Sequence, residues 1–356
     1  MLGKPEQTVP ASASQPQGFG IAAGQHDAAH INERPDLLLF CGGFFGYAAE
    51  IKRHLEARGR CVALFDDRPA SDSVTKALIR IAPGAIRSRT EQYFDRIIAQ
   101  MSGEPIRDVL VIKAEGFSPD TVTRLRAAFP LARFTLYFWD SFGNMPSDSR
   151  EKAALFDRVL TFDPRDAERD QLIYRPLFFA DSYAKVPVQT QDIDLLFFGT
   201  IHDDRFRVLQ KISKSLPDGL TFRKILYFPA KWLYAVHAFR DPGLLWADKR
   251  DFIFFPKSRS EIVTLLARSR IVIDIERPVQ RGYTMRTLES LGAGRKVITT
   301  NSEAKGADFY NPANIAVIDR NAPRITEEFL AAPFEPLPAS MLYYYSLEGW
   351  LDDVLR

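Results

Sequence analysis

Residues 281–301 read RGYTMRTLESLGAGRKVITTN, with Arg286 and Glu289 three positions apart beside a stripe of Leu288, Leu291 and Ala293 that a helix turns toward a core. A guanidinium and a carboxylate so placed form either a surface ion pair or a pair facing a ligand. Other segments offer related chemistry. The loop 41–46 (CGGFFG) follows a strand and opens a helix, so Gly42, Gly43 and Phe44 stand where backbone N–H groups meet an anion. Its spacing is not the dinucleotide fingerprint, because Phe44 and Tyr47 hold two of the positions that need Gly. Asp66 and Asp67 come after the next strand, about where a ribose-binding acid stands. Gly199, Thr200 and Arg205 belong to a second strand-end loop (GTIHDDR), at the sheet edge where open α/β folds bind ligands. Asp203 or Asp204 in that loop reads as the cap of the following helix. Lys257, in FFPKSRS ahead of a helix starting near Ser260, either neutralises a diphosphate or is simply solvated.

These side chains need strand ends and helix starts to hold them, and the hydrophobic pattern supplies both. Short apolar runs at 36–40 (DLLLF), 61–65 (CVALF), 108–112 (DVLVI), 133–138 (RFTLYF) and 159–162 alternate with helical stretches at 47–58, 73–81, 90–101 and 120–128. The alternation restarts at 194–198 (DLLFF) and continues through 221–227, 271–275, 296–300 and 315–318. Helices are expected at 206–215, at 260–267 and through Glu289, with a helix-rich insertion at 229–248 and an amphipathic helix at 343–355. Uniformly apolar strands between amphipathic helices predict parallel sheets covered on both faces. The fold class is therefore α/β, with two consecutive Rossmann-like domains. The stretch 179–192 is polar and without period, which gives a first domain over 34–180, a linker over 181–192, a second domain over 193–340 and a terminal helix over 341–356. Residues 1–33, rich in Gln, Ala, Ser, Pro and Gly, read as a disordered leader.

Bulk properties narrow the function classes. A chain of 356 residues is long for one core, in line with two domains. A net charge of +2 provides no global field for nucleic acid. The two cysteines, Cys41 and Cys61, read as small core residues of a reducing compartment. No run reaches the roughly 18 apolar residues that span a bilayer, and the first 33 residues lack the apolar segment of a signal peptide. A cytoplasmic protein is expected. Two Rossmann-like halves suit a nucleotide-sugar transferase with an interdomain cleft, a nicotinamide enzyme, or a periplasmic-type binding protein, the last disfavoured without a signal peptide.

The second half resembles the C-terminal domain of GT-B fold glycosyltransferases on residues 281–300 and on the strand and loop 194–205. Many retaining GT-B enzymes carry a Glu, then Gly, an aromatic, Gly and four residues before a second Glu, which opens a helix ending in Gly-x-Pro-Val-Ile. Gly282, Tyr283 and Glu289 match, as do Gly294 to Ile298 except that Lys296 stands for Pro. Arg281 holds the first Glu position and Thr284 the second Gly, so the double-Glu signature is incomplete. Over about 37–355 the chain is similar to bacterial lipopolysaccharide or capsular polysaccharide biosynthesis proteins. The similarity rests on YFWDSF (137–142), FFGTIHDDR (197–205), TMRTLESLGAG (284–294) and DFYNPANIAVIDR (308–320).

The resemblance implies two domains facing each other across a cleft. It also implies transfer of a sugar from a nucleotide-sugar donor, a co-substrate, with no cofactor and no metal. Glu289 would accept hydrogen bonds from ribose hydroxyls, and Thr284 with the N–H groups of the Gly282–Tyr283 loop would cradle the diphosphate. Arg286 would neutralise the leaving group. The base of an inverting reaction would come from the first domain: Asp140, past strand 133–138 in an aromatic setting, or Glu115, past strand 108–112. Each of these two reads equally as a helix cap or a loop carboxylate.

Acceptors of this class are lipid-linked saccharides, so contact with the inner face of the cell membrane is expected. The cationic, acid-free stretch 76–89 (KALIRIAPGAIRSR) and the aromatic, basic stretch 229–240 (PAKWLYAVHAFR) have the composition of interfacial segments, and equally of amphipathic helices packed on a sheet. Two other readings stay open: an NAD(P)-dependent oxidoreductase using loop 41–46 with Asp66 or Asp67, and an inactive scaffold, given Arg281.

Overall fold

A computed structural model describes residues 34–43, 46–70, 83–187, 189–278 and 281–356. In the first half, β1 (Leu37–Phe40), β2 (Val62–Phe65), β3 (Asp108–Ile112), β4 (Arg133–Phe138), β5 (Arg158–Thr161) and β6 (Ile173–Tyr174) form one parallel sheet in the order β2-β1-β3-β4-β5-β6. In the second half, β7 (Ile193–Thr200), β8 (Phe222–Tyr227), β9 (Phe252–Ile253), β10 (Ser269–Asp274), β11 (Lys296–Thr299) and β12 (Ile315–Val317) form another, in the order β12-β11-β10-β7-β8-β9. Leu37, Leu38, Leu39 and Phe40 are all fully buried, which is what a strand covered on both faces demands of its sequence.

The expected strands are present, with β6 and β9 added at the sheet edges. Each is two residues long, β6 on Leu160 and Thr161 and β9 on Leu226 and Tyr227. β7 runs through Gly199 and Thr200, which pair with Leu226 and Tyr227, so these two are strand residues and not loop. The helix expected at 73–81, residues 76–82 of the cationic stretch, and Phe44 lie outside the described residues. The rest of that stretch is a 3-10 turn (Pro83–Ile86) leading into the helix Arg87–Gln100.

One apolar cluster is confined to the first half and one to the second. A third is shared, joining Leu39, Ile51 and Ile112 to Leu196, Val272 and Leu288. Leu177 to Ala180, at the polar stretch's edge, are buried in it. Phe179 exchanges backbone hydrogen bonds with the C-terminal segment, Phe179 N to Tyr345 O at 2.8 Å and Leu347 N to Phe179 O at 3.1 Å. The final helix, Leu347–Val354, sets Trp350 against Tyr137 and Phe178 of the first half, with ring centroids 4.8 Å apart in both cases.

Candidate active site

The carboxyl end of β10 organises the second half's share of the site. Asp274 is fully buried, and its carboxylate accepts hydrogen bonds from Thr284 Oγ1 and Thr287 Oγ1, both at 2.7 Å, and from Arg286 Nη1 at 2.9 Å. A carboxylate out of water is tolerable only when its lone pairs are filled in this way. The effect is to fix the first turn of the helix Met285–Gly292 to the sheet. Thr284 caps that helix by accepting from Thr287 N, and Gly294, at φ +65°, closes its other end in a Schellman turn (Gly294 N to Leu291 O, Arg295 N to Ser290 O).

Arg286 therefore pairs with Asp274 and not with Glu289. Its guanidinium lies over the rings of Phe197 and Phe198 and against Gly199, where an added Cβ would collide with Nη2. Gly199 has φ +154°, a conformation that only glycine adopts readily. Beside it, Arg205 donates to the carbonyls of Thr200 (2.7 Å) and Ile275. Burial, and then the like charge of Arg286, push the Arg205 guanidinium down to about 9. A bound anion would offset the repulsion between the two guanidinia. The first-turn amides of Met285 and Arg286 have no hydrogen-bond partner among the described residues, and helix N-termini attract anions.

Arg205, Arg286, Arg277, Thr284, Met285, His202 and Glu276 face Trp139, Asp140 and Leu177 of the first half across a cleft of about 260 Å³. Burial, then Arg205 and Arg277, push His202 down to about 4, so its imidazole is neutral at neutral pH, with Nδ1 2.7 Å from Asp203. Glu276 is already engaged: Arg320 donates to it at 2.7 Å and Thr300 at 2.5 Å. A larger groove of about 660 Å³, beside β5 and β6, contains none of the candidate residues.

Asp140 forms an ion pair with Lys113 at 2.5 Å. Lys113 and Ala114, at φ +74° and +59°, are successive non-glycine residues in the left-handed region at the end of β3. Burial opposes the Lys113 charge, but Asp140 and Glu115 outweigh it and hold the ammonium above the usual lysine range. Glu115 is buried against Arg68 and does not line the cleft, whereas Asp140 does. Asp67 is fully buried, accepts from Glu115 N at 3.1 Å, and is pushed up to about 7, chiefly by burial. It presents no surface to a ribose.

Glu289 is not at the start of its helix, as expected from the sequence, but in the second turn, and it is buried. Tyr47 from the first half donates its hydroxyl to it. Burial pushes Glu289 up to about 7, against the hydrogen bonds of Tyr47 and Tyr183 and the charges of Arg259 and Arg286. Asp204 stands at the cap position of Arg205–Ser215 without a capping bond, because its carboxylate takes Arg320 at 2.6 Å, and Asp203 takes His202. Neither is the cap that the sequence predicts. Gly282 lies where an added Cβ would come 2.5 Å from the Phe162 ring of the first half. Tyr283 packs on Phe309, and Lys257 pairs with Glu261 at 2.8 Å, outside the cleft lining. Gly42 is buried and Gly43 exposed in open space. Sequence alone does not single out Asp274, Trp139, His202 or Arg277. Of these, Asp274 carries a usable signal, an acid ending an apolar strand (SRIVID).

No protein-family model matches the sequence, and no curated protein matches it with significance. Solved structures do match the fold. An alpha-glucosyltransferase in complex with UDP and DNA superposes with a TM-score of 0.56 at 12% identity, over 91% of this chain and 100% of that one. Anabaena HepE in complex with UDP-glucose gives 0.56 at 13% identity, over 91% and 98%. A glycosyltransferase from Rickettsia africae gives 0.55 at 12%, over 91% and 97%. The chain has the GT-B fold: two Rossmann-like domains, each on a six-stranded parallel sheet.

Proposed function

We propose that the protein is a glycosyltransferase that moves a hexose from a uridine diphosphate sugar to a lipid-linked saccharide during bacterial surface-polysaccharide synthesis. The observation that carries the donor assignment is the cationic end of the cleft. Arg205 and Arg286 flank Gly199 beside helix amides that have no partner among the described residues, in a fold shared with structures solved with UDP and UDP-glucose. There the two guanidinia and the amides would hold the diphosphate and stabilise charge on it as the sugar leaves, work that needs no metal ion. Glu289, buried and outside the cleft lining, would receive the ribose hydroxyls only once they displace Tyr47. Asp140, facing the cleft and paired with Lys113, would act as the base on the acceptor hydroxyl. The surface-polysaccharide role rests on the resemblance of the four stretches quoted above.

A thermal-shift screen of UDP, GDP, CMP and NAD tests the donor site, since a ligand that binds only the folded state raises its stability by about 2.7 kcal/mol at a hundredfold excess over Kd. UDP should stabilise the wild type and not Arg286→Ala. A shift with NAD alone would overturn the reading in favour of an oxidoreductase, and unchanged transfer in EDTA is the expected result for metal independence.

A further inference from the structure

The segment after β8 carries a surface that the transfer site does not use. On the helix Lys231–Arg240, Trp232, Val236 and Phe239 recur at helical spacing on the outward face, 65%, 41% and 90% exposed, while Ala238 is buried. The following turn, Pro242–Trp246, is tied beneath them: Tyr234 donates to the carbonyl of Leu244, which is buried, whereas Leu245 and Trp246 are 59% and 89% exposed. Phe255 stands 84% exposed next to Phe254, whose neighbour is Tyr234 at 6.3 Å. Lone exposed apolar side chains are ordinary, but several large ones recurring along one stretch of chain mark an interaction surface. Lys231, Arg240 and Lys249 are interleaved with these rings, exposed, and paired with no carboxylate among the described residues.

We propose that this face docks the protein on an anionic phospholipid bilayer. Tryptophan and phenylalanine partition into the headgroup boundary, and nearby unpaired cations find lipid phosphates there. A protein partner would be expected to neutralise the cations with carboxylates or to leave them at a rim, whereas here they are mixed among the rings. The placement also suits the transfer reading, on which the choice of a lipid-linked acceptor rests. The segment leaves the carboxyl end of β8, where Tyr227 pairs with Thr200, whose carbonyl accepts from Arg205 of the cleft. Of the two stretches with interfacial composition, the contact is thus assigned to 229–240 and extended through Trp246 and Phe255.

The test is co-sedimentation of the full chain with vesicles of phosphatidylcholine alone and of phosphatidylcholine with phosphatidylglycerol, without any nucleotide. Of the four tryptophans Trp139 and Trp350 are buried, so a blue shift on binding reports Trp232 and Trp246. Binding should require phosphatidylglycerol and weaken with salt. It should fall at least tenfold in a Phe239→Ser, Trp246→Ser variant whose UDP-induced thermal shift is unchanged. Equal binding to both vesicles, no binding, or an unaffected double variant would overturn the proposal, as would self-association of the wild type that this variant abolishes. Because no donor is present, failure here leaves the result of the UDP screen standing, and the reverse.

Discussion

Tyr47 donates its hydroxyl to Glu289 from the opposite half of the molecule. Arg259, from the second half, lies 4.6 Å over the Tyr47 ring while paired with Glu50 on the same helix as Tyr47. The carboxylate proposed for the ribose is thus held by a tyrosine, and a ribose hydroxyl must displace it. Tyr47→Phe should lower stability by about 1–2 kcal/mol, the worth of a hydrogen bond to a buried carboxyl. It should also raise UDP affinity several-fold by isothermal titration calorimetry. Unchanged affinity would mean that Tyr47 and the ribose do not compete.

Glu289 and Asp67 are both pushed up to about 7, from 4.5 and 3.8, by burial first. Between those ordinary values and about pH 7 the folded protein holds protons that the unfolded chain has released. Stability is therefore greatest at the acid end of this window and falls as pH rises through it. Glu289→Gln, which is neutral throughout, should reduce the fall in urea midpoint between about pH 5 and about pH 7.5. The part due to Asp67 should remain.

Asp274 anchors three donors at once. Asp274→Asn should cost about 3–5 kcal/mol, because it strands the Arg286 charge in a buried setting. Adding Arg286→Gln should recover part of that loss, and a double-mutant cycle in chemical denaturation measures the coupling.

Gly282 and Gly43 form a matched pair. Gly282→Ala forces a methyl group into Phe162 and should cost about 1–3 kcal/mol. Gly43→Ala meets open space and should leave the melting temperature within a degree or so of wild type.

Asp140→Asn should lower kcat for sugar transfer at least a hundredfold while leaving UDP affinity intact, as expected for a general base that does not touch the nucleotide. Glu115→Gln should instead reduce stability, since Glu115 is buried against Arg68. The reverse pattern would exchange their roles.

Much of the fold is legible in the sequence because strands buried on both faces are written as unbroken apolar runs, as in LLLF of β1 and VLVI of β3. The edge strands β6 and β9 are not, since two residues make no pattern. Arg205, Arg286 and Asp140 are legible as charged residues at strand or helix ends, and the cleft does bring them together. The depth of Glu289 is not. Helical period places it beside the inward apolar stripe, and nothing local announces a tyrosine arriving from the other domain. Asp204 reads wrongly as a cap because capping is a local rule and Arg320, its actual partner, is remote in sequence.

The returning helix Leu347–Val354 also bears on the order of assembly. Arg133 and Arg158 of the first sheet, and Arg175 just past β6, donate to Leu355, Asp353 and Tyr344, and Trp350 packs against Tyr137 and Phe178. On the ribosome these partners emerge only after the whole second domain. Until then the first domain lacks the segment that closes it. The first sheet is therefore completed only when residues 344–355 dock on it, a contact of high sequence separation.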